Sequence, residues 1–377
     1  MNQDKIHKII LAVTIILIPI IIMVSGMIKD QMNIPSFYTQ DYEEAIVRLV
    51  LEERLEDDPV VEDLVVGRQV LALEVLTGKH KGFIQDVINT IDQGHQVVCH
   101  EGQRIIVGIT ENDEGPDLWV YAHKRSPVLY ILIALFLGVM IYFGGKQGFY
   151  SIVALLFTAT MFIFVMVPMI FNGFHPIVIT IICAIISAVV SFILIGGYNE
   201  KSFVAILGTM MGIIAAGLIA FVFGKMANIT AVNMDKGTQL VYVALEYGVK
   251  VKGLLFASIL IASMGAVMDV SMSIASSIQE IYQLNPKLTV KQLYKSGMSI
   301  GRDIMGTMSN TLILAFMGGS LGLMLIIWGY NMEFVQLINM PFLSVELIQG
   351  LAGSIGIVLT VPFTALIASL IYKKGRS

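Results

Sequence analysis

The sequence predicts an all-α polytopic membrane bundle of about 8 transmembrane helices, carrying a small β-rich, OB-like extracytoplasmic domain. Three observations lead there. Eight apolar stretches lie near residues 8–28, 127–143, 148–171, 175–197, 203–224, 253–276, 308–329 and 349–372, most with at most one formal charge. A helix needs about 20 residues to cross a bilayer, and only helices and closed barrels satisfy their own backbone there. Hydrophobic residues make up 56% of the 377 and charged residues 14%, below the roughly 25% of soluble domains. That balance excludes most soluble enzyme classes. Charge is also divided by region. Residues 29–125 carry nine Lys/Arg against nineteen Asp/Glu and the rest fifteen against nine, so −10 and +6 give the net −4. An acidic block joined to a basic membrane block fits a block that faces away from the cytoplasm.

The elements follow in chain order. Lys5 and Lys8 precede an apolar run from Ile9 to Ile28. Met23-Val24-Ser25-Gly26-Met27 is a poor cleavage site, so residues 1–28 read as a retained N-terminal transmembrane anchor. Residues 41–58 read as a helix. Tyr42, Ile46, Leu49, Val50 and Leu55 make its apolar stripe, acidic residues lie outside it, and Pro59 stops it. Five short strands are then expected at Gln69–Leu76, Gly82–Asn89, His95–His100, Gln103–Thr110 and Leu118–Ala122. Gly78, Gly94, Gly102 and Asn112-Asp113-Glu114-Gly115-Pro116 mark the turns. Such a set suggests a small barrel, able to bind a ligand, a peptide or a neighbouring subunit, or to cap the membrane domain. His80, His95, His100 and His123 lie in this block with Cys99, at spacings that match no metal-ligand motif. Cys183 lies inside an expected span, so no disulfide is expected.

Residues 126–377 form a seven-helix membrane domain. Lys5, His7, Lys8, Lys146, Lys201, Lys287, Lys291, Lys295, Arg302, Lys373, Lys374 and Arg376 fall on one side, the cytoplasm by the positive-inside rule. Both termini are then cytoplasmic. The Asn172–Pro176 turn and the loop near 330–348 fall on the other side with residues 29–125. The 225–252 loop runs against the rule, with Lys225, Lys236, Lys250 and Lys252 against Asp235 and Glu246. An amphipathic segment with Val241, Leu245 and Val249 on one face would account for it. Thr289 reads as an N-cap, opening a cytoplasmic interfacial helix near 289–300 with Leu293 on its apolar side.

A carboxylate inside a span is costly and is by default a functional candidate. Asp269 is the clear case, with Ala262, Gly265, Ser273 and Ser276 on its helical face. It is expected five to eight residues from the cytoplasmic end of span six. Span seven opens with Arg302 and Asp303, followed inward by Thr307, Asn310 and Thr311. An ion, proton or substrate site of Asp269, Ser273, Asp303, Thr307 and Asn310 follows, with Arg302 and Glu346 as secondary candidates. The competing structural reading has Asp269 bonded to Asn310 or paired with Arg302, fixing helix register. Gly208-x-x-x-Gly212 and Gly318-x-x-x-Gly322 read as packing motifs, and Pro168 and Pro362 as kinks. The 22 Met residues read as core filler rather than copper ligands. No Walker A loop and no Gly-x-Ser-x-Gly elbow occurs, so no enzyme activity, no cofactor, no metal and no nucleic-acid partner is expected.

Three segments carry a family resemblance. They are Gly265-Ala266-Val267-Met268-Asp269-Val270-Ser271-Met272-Ser273-Ile274-Ala275-Ser276, then Ser296-Gly297 through Gly301-Arg302-Asp303-Ile304-Met305-Gly306-Thr307-Met308 with Asn310–Ala315, and Gly353-Ser354-Ile355-Gly356 with Pro362–Ala368. They resemble signatures of the YibE/F-like multitransmembrane proteins over roughly residues 125–370, and Gly78–Asn89 is similar to that family's soluble segment. The resemblance implies a bacterial, multi-pass, cell-membrane protein that is permease-like. It brings no catalytic residue. The resulting expectation is a secondary transporter of an unknown small solute or ion, coupled through Asp269, in contact with the lipid bilayer. The alternative is a membrane scaffold or envelope-assembly component whose outer domain binds a partner. A membrane-protein partner or a homo-oligomer fits either.

Overall fold

The computed structural model describes residues 3–31, 40–112, 115–234 and 236–374. Asp113 and Glu114 of the expected turn, Asp235, and Arg376 lie outside the described residues. The chain divides into two units, Pro35–Val139 and the remainder, so the first unit runs past residue 125 into the apolar helix that follows.

The smaller unit holds a five-stranded antiparallel sheet in the order β3-β2-β1-β4-β5. Its strands are β1 (Gln40–Asp57), β2 (Val65–Val75), β3 (Ile84–Ile91), β4 (Arg104–Asn112) and β5 (Gly115–His123). The expected helix over 41–58 is thus a strand. Glu43, Ala45 and Val47 alternate inward, but register shifts between Val47 and Leu49 and between Val50 and Glu52 insert bulges. Each bulge moves later residues to the opposite face, so the period of two is lost and a helical stripe appears by coincidence. The expected strand at His95–His100 carries no ladder. Side-chain amides hold that segment instead. Gln69 Nε2 donates to the Cys99 carbonyl at 2.9 Å, Gln69 Oε1 accepts from Cys99 N–H at 2.9 Å, and Asn89 Nδ2 donates to the Val97 carbonyl at 2.7 Å. Both amide side chains are buried, where an unmade bond costs about 1–3 kcal/mol. The sheet curls until its edges meet. Gln85 of β3 donates to Asp117 at 3.1 Å and accepts from Leu118 N–H of β5 at 2.9 Å. The enclosed core includes Val47, Leu71, Leu73, Cys99, Ile105 and Val107.

The larger unit is helical. It contains α1 (Gln3–Gln31), then α2 (Ser126–Met161), whose first part belongs to the smaller unit, and a π-helical turn at Phe162–Met166 that leads into α3 (Val167–Phe171). Pro168 sits there, in the first turn of α3 just after the π-helical turn. The chain continues through α4 (Pro176–Gly196), α5 (Glu200–Met226), α6 (Gly237–Tyr247), α7 (Leu254–Leu284) and α8 (Val290–Gly319). It closes with α9 (Leu321–Gly329), α10 (Phe334–Ile338) and α11 (Pro341–Lys374). Six of the described helices are long and apolar enough to cross a membrane, or seven if α8 and α9, bent by 64°, count as one. Ser126–Phe171 counts once there at 46 residues, yet it is broken. Gly145 has φ 53° and ψ −132°, a conformation only glycine adopts without strain. A side chain at Gly148 would overlap the Met140 carbonyl. Along a straight helix those residues stand about 12 Å apart, so the chain doubles back at Gly145.

The helix ends sort into two groups. Gln147 donates to the Ile195 carbonyl, Lys373 Nζ to the Pro286 carbonyl at 3.3 Å, and the His7 and Tyr150 rings meet edge-on at 4.6 Å. In the other group, Lys250 Nζ donates to the Gly173 carbonyl at 2.7 Å, and Ile229, Leu255 and Val345 share one cluster. Two expectations fail here. The segment near 289–300 is not a separate interfacial helix: it forms the first turns of α8. Thr289 caps that helix as expected, in a box with Gln292, and Leu293 is buried. The stripe of Val241, Leu245 and Val249 does not hold either. α6 ends at Tyr247, Leu245 is 78% exposed and Val249 is buried.

The centre of the bundle is the seam of α5, α7 and α11. Side chains at Gly208 and Gly212 would strike Thr364 and Thr360, and one at Gly356 would strike Ala216. Small residues bring these backbones close enough for dispersion contacts along their length. Gly318 and Gly322, the other motif of that spacing, have nothing within 4 Å. Gly212→Ala is expected to destabilise by about 1–3 kcal/mol through overpacking, whereas Gly318→Ala should be neutral or gain up to about 1 kcal/mol of helix propensity. Thermal denaturation in detergent checks the opposite signs.

Candidate functional site

Side chains at Gly301 and Gly297 of α8 would meet Ile274 and Ile278 of α7 respectively. The two helices therefore run antiparallel, and four residues along one match four back along the other. That register puts Gly306 level with Asp269, and places Asp303 and Thr307 just to either side of that level. The expected grouping of these residues by height holds. The helix is longer than the expected span. α7 continues to Leu284, eight residues beyond the predicted span end at 276, so Asp269 stands fifteen residues from Leu254 and fifteen from Leu284. It lies at the middle of the helix, not near one end. Predicted spans stop where apolar character fades, and Ser277, Gln279 and Glu280 hid the last two turns.

The side chains point outward. Asp269, Arg302, Asp303, Thr307 and Asn310 are exposed and Ser273 is half-buried. Thr307 Oγ1 donates to the Ile304 carbonyl at 2.9 Å and Thr311 Oγ1 to the Thr307 carbonyl at 2.9 Å, so these hydroxyls serve their own helix. Among the described residues the carboxylates of Asp269 and Asp303, the Arg302 guanidinium and the Asn310 amide make no hydrogen bond or ion pair. Neither the Asp269–Asn310 bond nor the Asp269–Arg302 pair forms. What exists is a polar strip on the outer face of α7 and α8, not an enclosed cluster. In a bilayer, a carboxylate at that height costs about 2.5–3.5 kcal/mol on insertion scales.

Glu346 is separate from the strip. It is half-buried on the wall of an apolar groove of about 280 Å³, between α8–α9 and α11, lined by Ile313, Phe316, Met324 and Leu351.

Sequence reasoning missed a second polar feature. Thr209, Ser271 and Thr364 are 0% exposed, and their hydroxyls have no hydrogen-bond partner among the described residues. They come from α5, α7 and α11 and lie at one height. Gly212 meets Thr360 and Val267, and Gly208 meets Thr364; Ser271 lies one turn on from Val267, level with Gly208 and Thr209. Thr360 and Ser369, flanking Thr364 on α11, instead bond their own backbone at 2.7 and 2.6 Å. No spacing rule would have singled out the three, because each sits on a different helix. An unsatisfied buried hydroxyl costs about 1–3 kcal/mol. Thr364→Val is therefore expected to leave melting temperature unchanged or raise it, and a clear fall would mean that the hydroxyl is bonded.

In the sheet, His80 lies between two carboxylates: its Nδ1 is 3.3 Å from buried Glu43 and its Nε2 3.6 Å from exposed Glu111. Glu43 also accepts from Lys79 N–H at 2.9 Å, fixing the Gly78–Gly82 loop. Among the described residues no group of three His, Cys, Asp or Glu could hold a metal. Burial pushes the Cys99 thiol up to about 11, which makes it inert. His123 Nδ1 faces Gln103 Nε2 at 3.1 Å. His100 N–H donates to Gln103 Oε1 at 3.0 Å and so orients that amide, leaving the imidazole to accept. Burial first, and then the Arg125 charge, lower its pKa below the ordinary 6.5. The unfolded chain then binds the proton more readily, so this stabilisation is complete above pH 6.5 and is lost as pH falls below it. The sheet is expected to melt at a lower temperature at about pH 5.5 than at about pH 7.5. Trp119 emission in a Trp328→Phe background reports it, and His123→Asn should flatten the difference.

Comparison with known proteins adds one match. A family profile described as YibE/F-like protein matches residues 132–374, which covers the helical unit from α2 onward and leaves the sheet outside. No curated protein and no solved structure matches the chain.

Proposed function

We propose that this chain, which belongs to the YibE/F-like family, is a multi-pass bacterial cell-membrane permease moving an ion or small solute along the α7–α8 strip. In this reading it crosses the bilayer eight times: α1, the two arms of the run broken at Gly145, α4, α5, α7, the bent α8–α9 pair and α11. The ends bearing Lys8, Lys146, Lys201, Lys287 and Lys373 face the cytoplasm by the positive-inside rule. Residues 29–125 then lie outside, with the sheet as an OB-like barrel in the ring order β1-β2-β3-β5-β4. The observation that carries the proposal is Asp269, halfway along an apolar helix and without a partner among the described residues. A carboxylate held at that depth can take a proton or bind a cation, and Asp303 and Asn310 supply further oxygens along α8. Arg302, beside them, would repel a second cation.

A second reading has one observation in its favour. Ile84 and Ile88 point outward from β3 at 60% and 66% exposure, an apolar strip suited to a protein partner of a scaffold. The two readings part on mutation. Asp269→Asn is expected to cut proton-driven flux into proteoliposomes by about tenfold or more, the equivalent of at least about 1.4 kcal/mol of barrier, at an unchanged protein level. Flux that survives in this variant rules out the carboxylate mechanism. If in addition deletion of residues 59–122 abolishes function, the scaffold reading takes its place.

A further inference from the structure

We infer that the outward strip of α7 and α8 is covered by the same strip of a second copy of this chain, so that the site around Asp269 is complete only between two protomers. What the site does rests on the permease reading above; that it is covered does not.

The protein supplies its own comparison. Outward residues on the other long helices are apolar: Val178, Ile182 and Ile186 on α4, Met211, Ile214 and Leu218 on α5, and Leu351, Val358 and Leu366 on α11. Those faces suit hydrocarbon. At the same heights α7 and α8 present Asp269, Asp303, Asn310 and Thr311, all exposed. One helix pair among several departs from the lipid-facing pattern, and it carries the charges. Charge near the bilayer middle is tolerated where it faces protein or water, not lipid.

The occupant follows from complementarity. The strip bears both signs, Arg302 against Asp269 and Asp303. A face with both signs can pair with itself about a two-fold axis, where each residue of one copy meets its counterpart's neighbour. Thr307 and Thr311 have already spent their hydroxyls on their own helix, so the acids, Arg302 and Asn310 are the groups left to bond across. Gly265, Gly306 and Gly318 have nothing within 4 Å, which leaves room for a second backbone to approach closely.

Cysteine cross-linking of the full chain in native membranes tests this. Cys99 and Cys183 are fully buried and stay in place. Thr311→Cys and Ala315→Cys put thiols on the strip, and Met211→Cys puts one on the apolar face of α5. Copper-phenanthroline oxidation is expected to give a covalent product of twice 41.4 kDa from the α8 variants and none from Met211→Cys. Three outcomes overturn the inference. The α8 variants stay monomeric; or they give a product of another mass, which means a different protein; or they react with a water-soluble maleimide without dimerising, which means a solvent path within one copy. The two proposals fail separately. A cross-linked dimer without flux removes the permease reading alone, and flux abolished by Asp269→Asn without any dimer removes this inference alone.

Discussion

An unneutralised carboxylate halfway along α7 is the constraint on which the rest of the helical unit turns. It cannot sit inside the bundle, because the interior is already taken. Gly208, Gly212 and Gly356 draw α5 and α11 so close that only small side chains fit between them, and Val267 and Ile274 of α7 complete that core. The polar face of α7 is therefore turned away from the seam, and α8 turns its own polar face the same way. Hydrocarbon is a poor surrounding for that strip, so either protein or water has to meet it. In the proposed arrangement a second copy or water meets the strip, and its mixed charge suits both.

The interior carries polarity of another kind. Thr209, Ser271 and Thr364 leave three hydroxyls unbonded at one height, whereas Ser263, Thr360 and Ser369 return theirs to their own backbone. Neutral hydroxyls are far cheaper to bury than a charge. The helical unit therefore holds these three hydroxyls inside while Asp269, Arg302 and Asp303 stand outside. The sheet follows a different rule. There, Gln69 and Asn89 are buried because their amides stand in for a missing ladder, holding the 95–100 segment against β2 and β3.

Much of this was legible in the sequence, for identifiable reasons. Twenty-residue apolar runs are the strongest signal a chain can carry, and the expected spans fall on helix, the one at 308–329 broken at Ser320 by a 64° bend. Asp269 stood out because a lone acid in such a run is costly in lipid. The failures have causes as definite. β1 read as a helix because bulges at Arg48 and Leu51 broke its alternation and because its inward face begins with Glu43, an acid where a core residue is expected. α7 is longer than the expected span because it continues through polar residues past its apolar run. Outward orientation could not be read at all, since a polar helical stripe looks the same whether it faces a neighbouring helix or the surroundings. The hydroxyl junction needed the register of three helices at once, which no local pattern contains.

The most direct test of the central claim is the surroundings of the strip itself. A nitroxide attached at Asn310→Cys in liposomes reports them through its collision rates with oxygen, which concentrates in lipid, and with a water-soluble nickel chelate. The account predicts low oxygen accessibility compared with a label at Met211→Cys, together with spin–spin broadening from a second copy. High oxygen accessibility equal to that of the α5 label, with no broadening, would place the strip in lipid and contradict the account.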